Sequence, residues 1–120
     1  MTAPTSHYAD VAAQPWDERR PGVHWKVLWR DGDRQTVLVR YDPGAVIPRH
    51  RHLGDEQIFV IEGEVEDDTG VARAGAFARR PPGCVHTVRS PRGALVLAVM
   101  SGGTEPVGGR EGCDAGTVAG

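Results

Sequence analysis

The chain has 120 residues, a formal net charge of −2 and a sequence pI near 6.2. That length supports one domain with a modest core. The charge lacks the strongly basic footprint of a nucleic-acid binder, so no nucleic acid is expected as a partner. No apolar run approaches a membrane span, and Met1 to Gln14 does not have the basic-then-apolar order of a secretory signal. The chain is therefore expected to be cytoplasmic, with no membrane partner. Glycine and proline, at 16 and 9 residues, favour short strands joined by turns over long helices.

Residues 1–21 read as a weakly patterned N-terminal extension. Asp10 to Gln14 can form a short helical turn, and Trp16 is placed to pack back onto the domain. From Gly22 the strands begin. Val23, Trp25, Val27 and Trp29 alternate with His24, Lys26, Leu28 and Arg30, the period of a half-buried strand. Asp31-Gly32-Asp33 supplies turn chemistry, Thr36 to Tyr41 forms the next strand, and Asp42-Pro43-Gly44 breaks it. Gln57 to Glu66 predicts a long strand with a bulge or bend at Gly63. Asp67-Asp68-Thr69-Gly70 turns the chain into a strand over Val71 to Arg80, with Gly75 as a possible kink. Pro81-Pro82-Gly83 is a rigid turn before the strand Val85 to Ser90. Ala94 to Met100 is apolar throughout, the pattern of a strand buried on both faces. Residues 101–120 shift to glycine and small polar residues and read as a flexible tail. Turns at roughly ten-residue spacing predict an all-β sandwich or barrel over residues 22–100.

Four residues carry chemistry as a group. His50 and His52 are two apart, so on a strand both imidazoles leave the same face. Leu53-Gly54-Asp55 can turn the chain and return the Glu56 carboxylate beside them. His86 arrives from a distant strand behind the proline turn. Nitrogen and oxygen donors of this kind suit one divalent metal ion per chain: Fe(II), Zn(II), Mn(II), Ni(II) or Co(II). His7 and His24 stand apart from this group and read as surface or hydrogen-bonded residues. Cys84, two before His86, is read as a small buried hydrophobe that could also line the pocket, and Cys113 as inert; neither is expected in a disulfide. Phe59, Phe77 and Trp25 are candidates for an apolar pocket above the metal or for ordinary core. Arg79-Arg80 reads as a solvated basic pair.

The run from Gly44 through His50, His52 and Glu56 to Gly63 resembles the first cupin motif, and Gly75, Pro81, Gly83 and His86 resemble the second. Where that second motif ends in asparagine, this chain has Ser90. The resemblance implies a single jelly-roll β-barrel of two antiparallel sheets, with His50, His52, Glu56 and His86 as metal ligands. Leu38 to Gly44, Asp55-Glu56 and Ile61 to Glu64 are further similar to the cupin domain of ChrR-type anti-sigma factors. Relatives of that domain include O2-dependent enzymes that cleave carbon–carbon bonds, acetylacetone dioxygenases among them, which use three histidines without the glutamate.

The resemblance implies two functions of different kinds. One is a dioxygenase on a small-molecule substrate, with Glu56 as ligand or catalytic base. The other is a non-catalytic metal-binding sensor module. Twenty-one residues before the barrel are too few for the helical sigma-binding domain of an anti-sigma factor. A homodimer is expected from the same resemblance.

Overall fold

The computed structural model describes residues 3–108. Cys113 and most of the glycine-rich stretch lie outside the described residues. The described residues fold into ten strands: β1 (Asp17–Arg20), β2 (Val23–Asp31), β3 (Arg34–Tyr41), β4 (Ala45–His52), β5 (Glu56–Asp67), β6 (Gly70–Arg73), β7 (Phe77–Arg80), β8 (Val85–Ser90), β9 (Ala94–Met100) and β10 (Thr104–Pro106). All pairings are antiparallel, in the order β1-β2-β3-β9-β5-β8-β4-β10, with β6 and β7 both joined to β5. The result is the jelly-roll barrel expected from the sequence.

Strand β5 ties the two sheets together. Its first half lies between β9 and β7, and its second half pairs with β6 and β8. The change of sheet falls at Gly63, whose φ is 73°. A Cβ there would collide with the Gly93 carbonyl oxygen, so only glycine lets the strands cross so closely. Ser90, in the place of the cupin asparagine, is fully buried and donates its hydroxyl to the Glu64 carbonyl at 2.7 Å.

The core is built from small branched residues on the inner faces: Val23, Val37, Val39, Val60, Val88 and Val96 are all nearly inaccessible. Val71 to Arg80 divides into β6 and β7 around Gly75, whose φ is 91°. Three other details differ from the sequence expectation. Strand β9 is not buried on both faces. Ala94, Val96 and Ala98 point inward, whereas Val99 is 51% exposed, because among the described residues the outer face of this sheet carries no continuous second layer. The alternation in β2 slips at a bulge between Val27 and Trp29, which leaves Trp29 exposed. Lys26 is buried instead. Its ammonium donates to the Val11 carbonyl at 2.8 Å and lies 4.6 Å from the Trp16 ring.

Both flanks of residues 22–100 are drawn into the barrel. A single 3-10 turn at Val11–Ala13 precedes β1, which pairs with β2. Beyond Met100, the segment read as flexible tail instead forms β10 against β4, with Thr104 opposite His52 and Pro106 opposite His50. An uncovered β4 would leave its backbone polar groups unpaired along an exposed edge, and β10 satisfies them.

Candidate metal centre

Strand β4 sets the site through an irregularity. Ala45 and Ile47 face the barrel interior, and simple alternation from them would turn His50 and His52 outward. A bulge between Ile47 and His50 adds the residue that reverses the phase. Pro48, which has no N–H to lose from a ladder, sits in that bulge. His50 and His52 are consequently both buried, at 8% and 5% exposure. His86 on β8 lies directly opposite His50 and is 2% exposed. The His52 backbone is clamped by the proline turn: its N–H donates to the Cys84 carbonyl and its carbonyl accepts from Gly83, each at 2.8 Å.

The hydrogen bonds of the imidazoles determine which nitrogens are free. His50 Nδ1 is 2.7 Å from the Pro48 carbonyl, which can only accept, so Nδ1 carries the hydrogen and Nε2 holds a lone pair. His86 Nδ1 is 2.8 Å from Asp67 Oδ2 and donates to it, which likewise frees Nε2. The Nε2 atoms of His52 and His86 meet at 3.0 Å. One ion at the usual metal–nitrogen distance of about 2.0–2.1 Å can touch both. All three rings offer a nitrogen within 4.8 Å of the others. The donor set therefore fits a divalent ion held by three neutral imidazoles.

Electrostatics favour that neutral form. Burial lowers the pKa of all three histidines. His52 falls to about 3, helped by His86, His50 and Arg80. His86 falls to about 4, because burial together with Arg80 and His50 outweighs the raising effect of Asp67. His50 is lowered in the same direction. Burial alone would raise Asp67, yet its hydrogen bonds from His86 and Thr69 hold it down at about 2. The His86–Asp67 contact is thus a neutral imidazole donating to a carboxylate, the arrangement that fixes a ligand ring and raises its basicity.

Glu56 stands beside the three imidazoles. Its Oε1 lies 3.9 Å from His52 Nε2 and 3.9 Å from Arg80 Nε. Glu56 and Arg80 are direct cross-strand partners on β5 and β7. Burial raises the Glu56 pKa, and Arg80 partly offsets this. Next to this group opens a cavity of about 320 Å³, lined in part by Tyr41, Trp25, Ile58 and Met100. The Tyr41 hydroxyl has its pKa raised, first by burial and then by Glu56, so it keeps its proton.

Of the pocket residues expected from sequence, Trp25 lines the cavity, whereas Phe59, Phe77 and Cys84 are placed elsewhere. Phe59 and Phe77 are 46% and 62% exposed on the outer face, since strand alternation turns Ile58 and Ala78 inward in their stead. Cys84 borders a separate hollow with Asp67 and Phe77, because it belongs to the proline turn and not to β8. Burial raises its thiol pKa. His7 and His24 are engaged away from the cluster, with the Leu28 carbonyl and with Asp42. Two residues of the site carried no sequence signal of their role. Asp67 is the expected turn residue, its Oδ1 accepting from Thr69 and Gly70, while its other oxygen holds His86. Arg80 is 7% exposed, not solvated; neighbours on a strand point to opposite faces, so only Arg79 reaches solvent, where it pairs with Asp55.

Comparison with known proteins is consistent with this architecture. The profile of the family described as the ChrR cupin-like domain matches residues 4–105. No curated protein matches the sequence. Among solved structures, a candidate acetylacetone dioxygenase from Methylibium petroleiphilum PM1 superposes with a TM-score of 0.82 at 16% identity, covering 91% of this chain and 85% of that one. An acetylacetone dioxygenase from Acinetobacter johnsonii gives 0.80 at 15% identity, over 91% and 83%. The Rhodobacter sphaeroides complex of SigE with the anti-sigma ChrR gives 0.68 at 25% identity, over 76% of this chain and 50% of that chain. Among the described residues, no helix is long and apolar enough to cross a membrane.

Proposed function

The chain belongs to the ChrR cupin-like domain family, and from that premise we propose that it is a metal-dependent dioxygenase acting on a small organic substrate. One observation carries the reading. The imidazoles of His50, His52 and His86 converge, and His50 and His52 line a cavity large enough for a small molecule, so the cluster has an open side. His50, His52 and His86 would hold the ion, with Glu56 as a fourth ligand or as the base. Fe(II), when bound, would supply the activation of O2 that carbon–carbon cleavage requires; Zn(II), Mn(II) and Ni(II) suit the same donors.

The chain's own residues provide the rest. Glu56, buried and with its pKa raised, is suited to take a proton from an acidic C–H or hydroxyl of the substrate at Oε1. Tyr41 keeps its hydroxyl hydrogen and can donate it to a substrate oxygen. Trp25, Ile58 and Met100 exclude water from the reacting end of the cavity. The exposed outer row of Phe59, Phe77 and Val99 supports a homodimer, which light scattering would detect.

The test is O2 uptake by Fe(II)-loaded protein with β-diketones, flavonols and hydroxyketones. Uptake dependent on substrate, and lost in Glu56→Gln, supports the reading; none in a folded iron form counts against it. A second reading, a metal-binding sensor module, draws on the similarity to the ChrR complex. Zinc retained on isolation, with no coordination position open to an added ligand, would favour it.

A further inference from the structure

Arg80 is a buried guanidinium whose side chain makes no hydrogen bond among the described residues. Its side chain is 8% exposed, and Nη1 is buried with nothing to donate to among the described residues. The nearest carboxylate oxygen, Glu56 Oε1, stands 3.9 Å from Nε, beyond hydrogen-bond reach. A guanidinium carries five donors in a rigid fork and stays charged in any protein environment. Burying it unsatisfied is costly unless something completes the fork.

The side chain lines the same cavity as His50 and His52. Because Glu56 Oε1 lies equally far from His52 Nε2 and Arg80 Nε, those two nitrogens are separated by at most twice that distance. A molecule of a few carbon atoms spans such a gap. The charges in the cavity wall point the same way. Arg19, Arg20 and Arg80 line it against the single carboxylate of Glu56. Arg19 is already tied to Asp17 at 2.6 Å and stacked 4.2 Å from the Trp25 ring. Arg80 is the buried member.

We propose that Arg80 is a specificity-determining residue and that the substrate of this cavity is a small organic acid, its carboxylate held by the Arg80 fork and its other end directed to the histidine cluster. A planar carboxylate matches the guanidinium geometry and forms short, charge-assisted hydrogen bonds with it. A neutral diketone of the same size leaves the fork empty. The proposal rests on the cavity being the substrate site, as in the dioxygenase reading, but not on the reaction performed there.

The test is calorimetric binding of two near-isosteric probes, acetoacetate and acetylacetone, to the purified protein. Acetoacetate is expected to bind at least roughly tenfold tighter. Arg80→Gln should remove that preference by weakening acetoacetate alone, and Arg80→Lys should restore part of it. Since Arg80→Gln leaves Glu56 buried without its countercharge, the double variant Arg80→Gln/Glu56→Gln is carried alongside, with circular dichroism to verify the fold. Equal binding of the two probes by the wild type overturns the proposal. So does an acid preference that survives in a folded Arg80→Gln variant, which would place the carboxylate on the metal or on Arg19 and Arg20. The readout is binding, so absent O2 uptake would count against the dioxygenase reading and leave acid selectivity standing. Uptake with acetylacetone and no acid preference would do the reverse.

Discussion

The two ends of the barrel interior follow the same alternation and reach opposite outcomes. At one end Val37, Val39, Val60 and Val96 interlock as an apolar core with no polar side chain among them. At the other, His50, His52, His86, Glu56 and Arg80 face inward from β4, β8, β5 and β7. Most buried polar atoms at this end have partners at the strand ends and turns: the Pro48 carbonyl in the β4 bulge for His50, and Asp67 in the β5–β6 turn for His86. Burial is therefore not the property that separates the two ends. The irregular backbone at one end supplies hydrogen-bond partners that a regular ladder cannot.

Substitutions at the two ends should have separable effects. Val60→Ala removes two buried methyl-sized groups from the apolar end and should cost about 2 kcal/mol of stability. Metal affinity should be unchanged. Urea unfolding and metal titration on the same preparation check both, and a loss of metal binding would break the distinction.

Asp67→Asn is the corresponding change at the polar end. The amide can still cap Thr69 through its oxygen, but it no longer draws the hydrogen of His86 to Nδ1. Metal affinity should fall by about 10–100-fold, with a stability change smaller than that of Val60→Ala. Competition with a chromophoric chelator measures the affinity, and an unchanged value would remove Asp67 from the site.

Acid should act through the polar end first. In the unfolded chain the histidines take protons as pH falls through 6.5, whereas the folded metal-free protein refuses them until about 4 at His86 and about 3 at His52. The unfolded state thus binds more protons in that window. Stability is fully present above pH 6.5 and is lost progressively as pH falls toward 4. Glu56, with its pKa raised, acts in the opposite direction, one group against three lowered imidazoles. Denaturant midpoints of chelator-treated protein between pH 7.5 and 4.5 should decline, and a flat series would contradict the burial of neutral histidines.

The apolar end was the more legible in sequence. Alternating β-branched residues and turn-forming glycines and prolines indicate the strands, and Gly63 marks the bend of β5. Spacing also brings the three histidines together. What spacing does not reveal is polarity that depends on register. Arg80 looks like half of a solvated pair until β7 pairs with β5 and turns it inward opposite Glu56. Asp67 looks like a turn residue, and is one, until the β5–β8 packing places its second oxygen on His86. Phe59 and Phe77 look like pocket residues because they are aromatic, yet alternation places them outside. Strand β10 has three residues, Thr-Glu-Pro, and only the unpaired edge of β4 gives them a reason to be extended.

Three imidazoles from β4 and β8 are placed to hold one metal ion. Metal content per chain, measured in wild-type protein and in His50→Ala after loading with Fe(II) or Zn(II) and desalting, decides whether they do. One ion per chain is expected in the wild type and none in a His50→Ala variant with an unchanged circular dichroism spectrum. Stoichiometric metal retained by His50→Ala would contradict it.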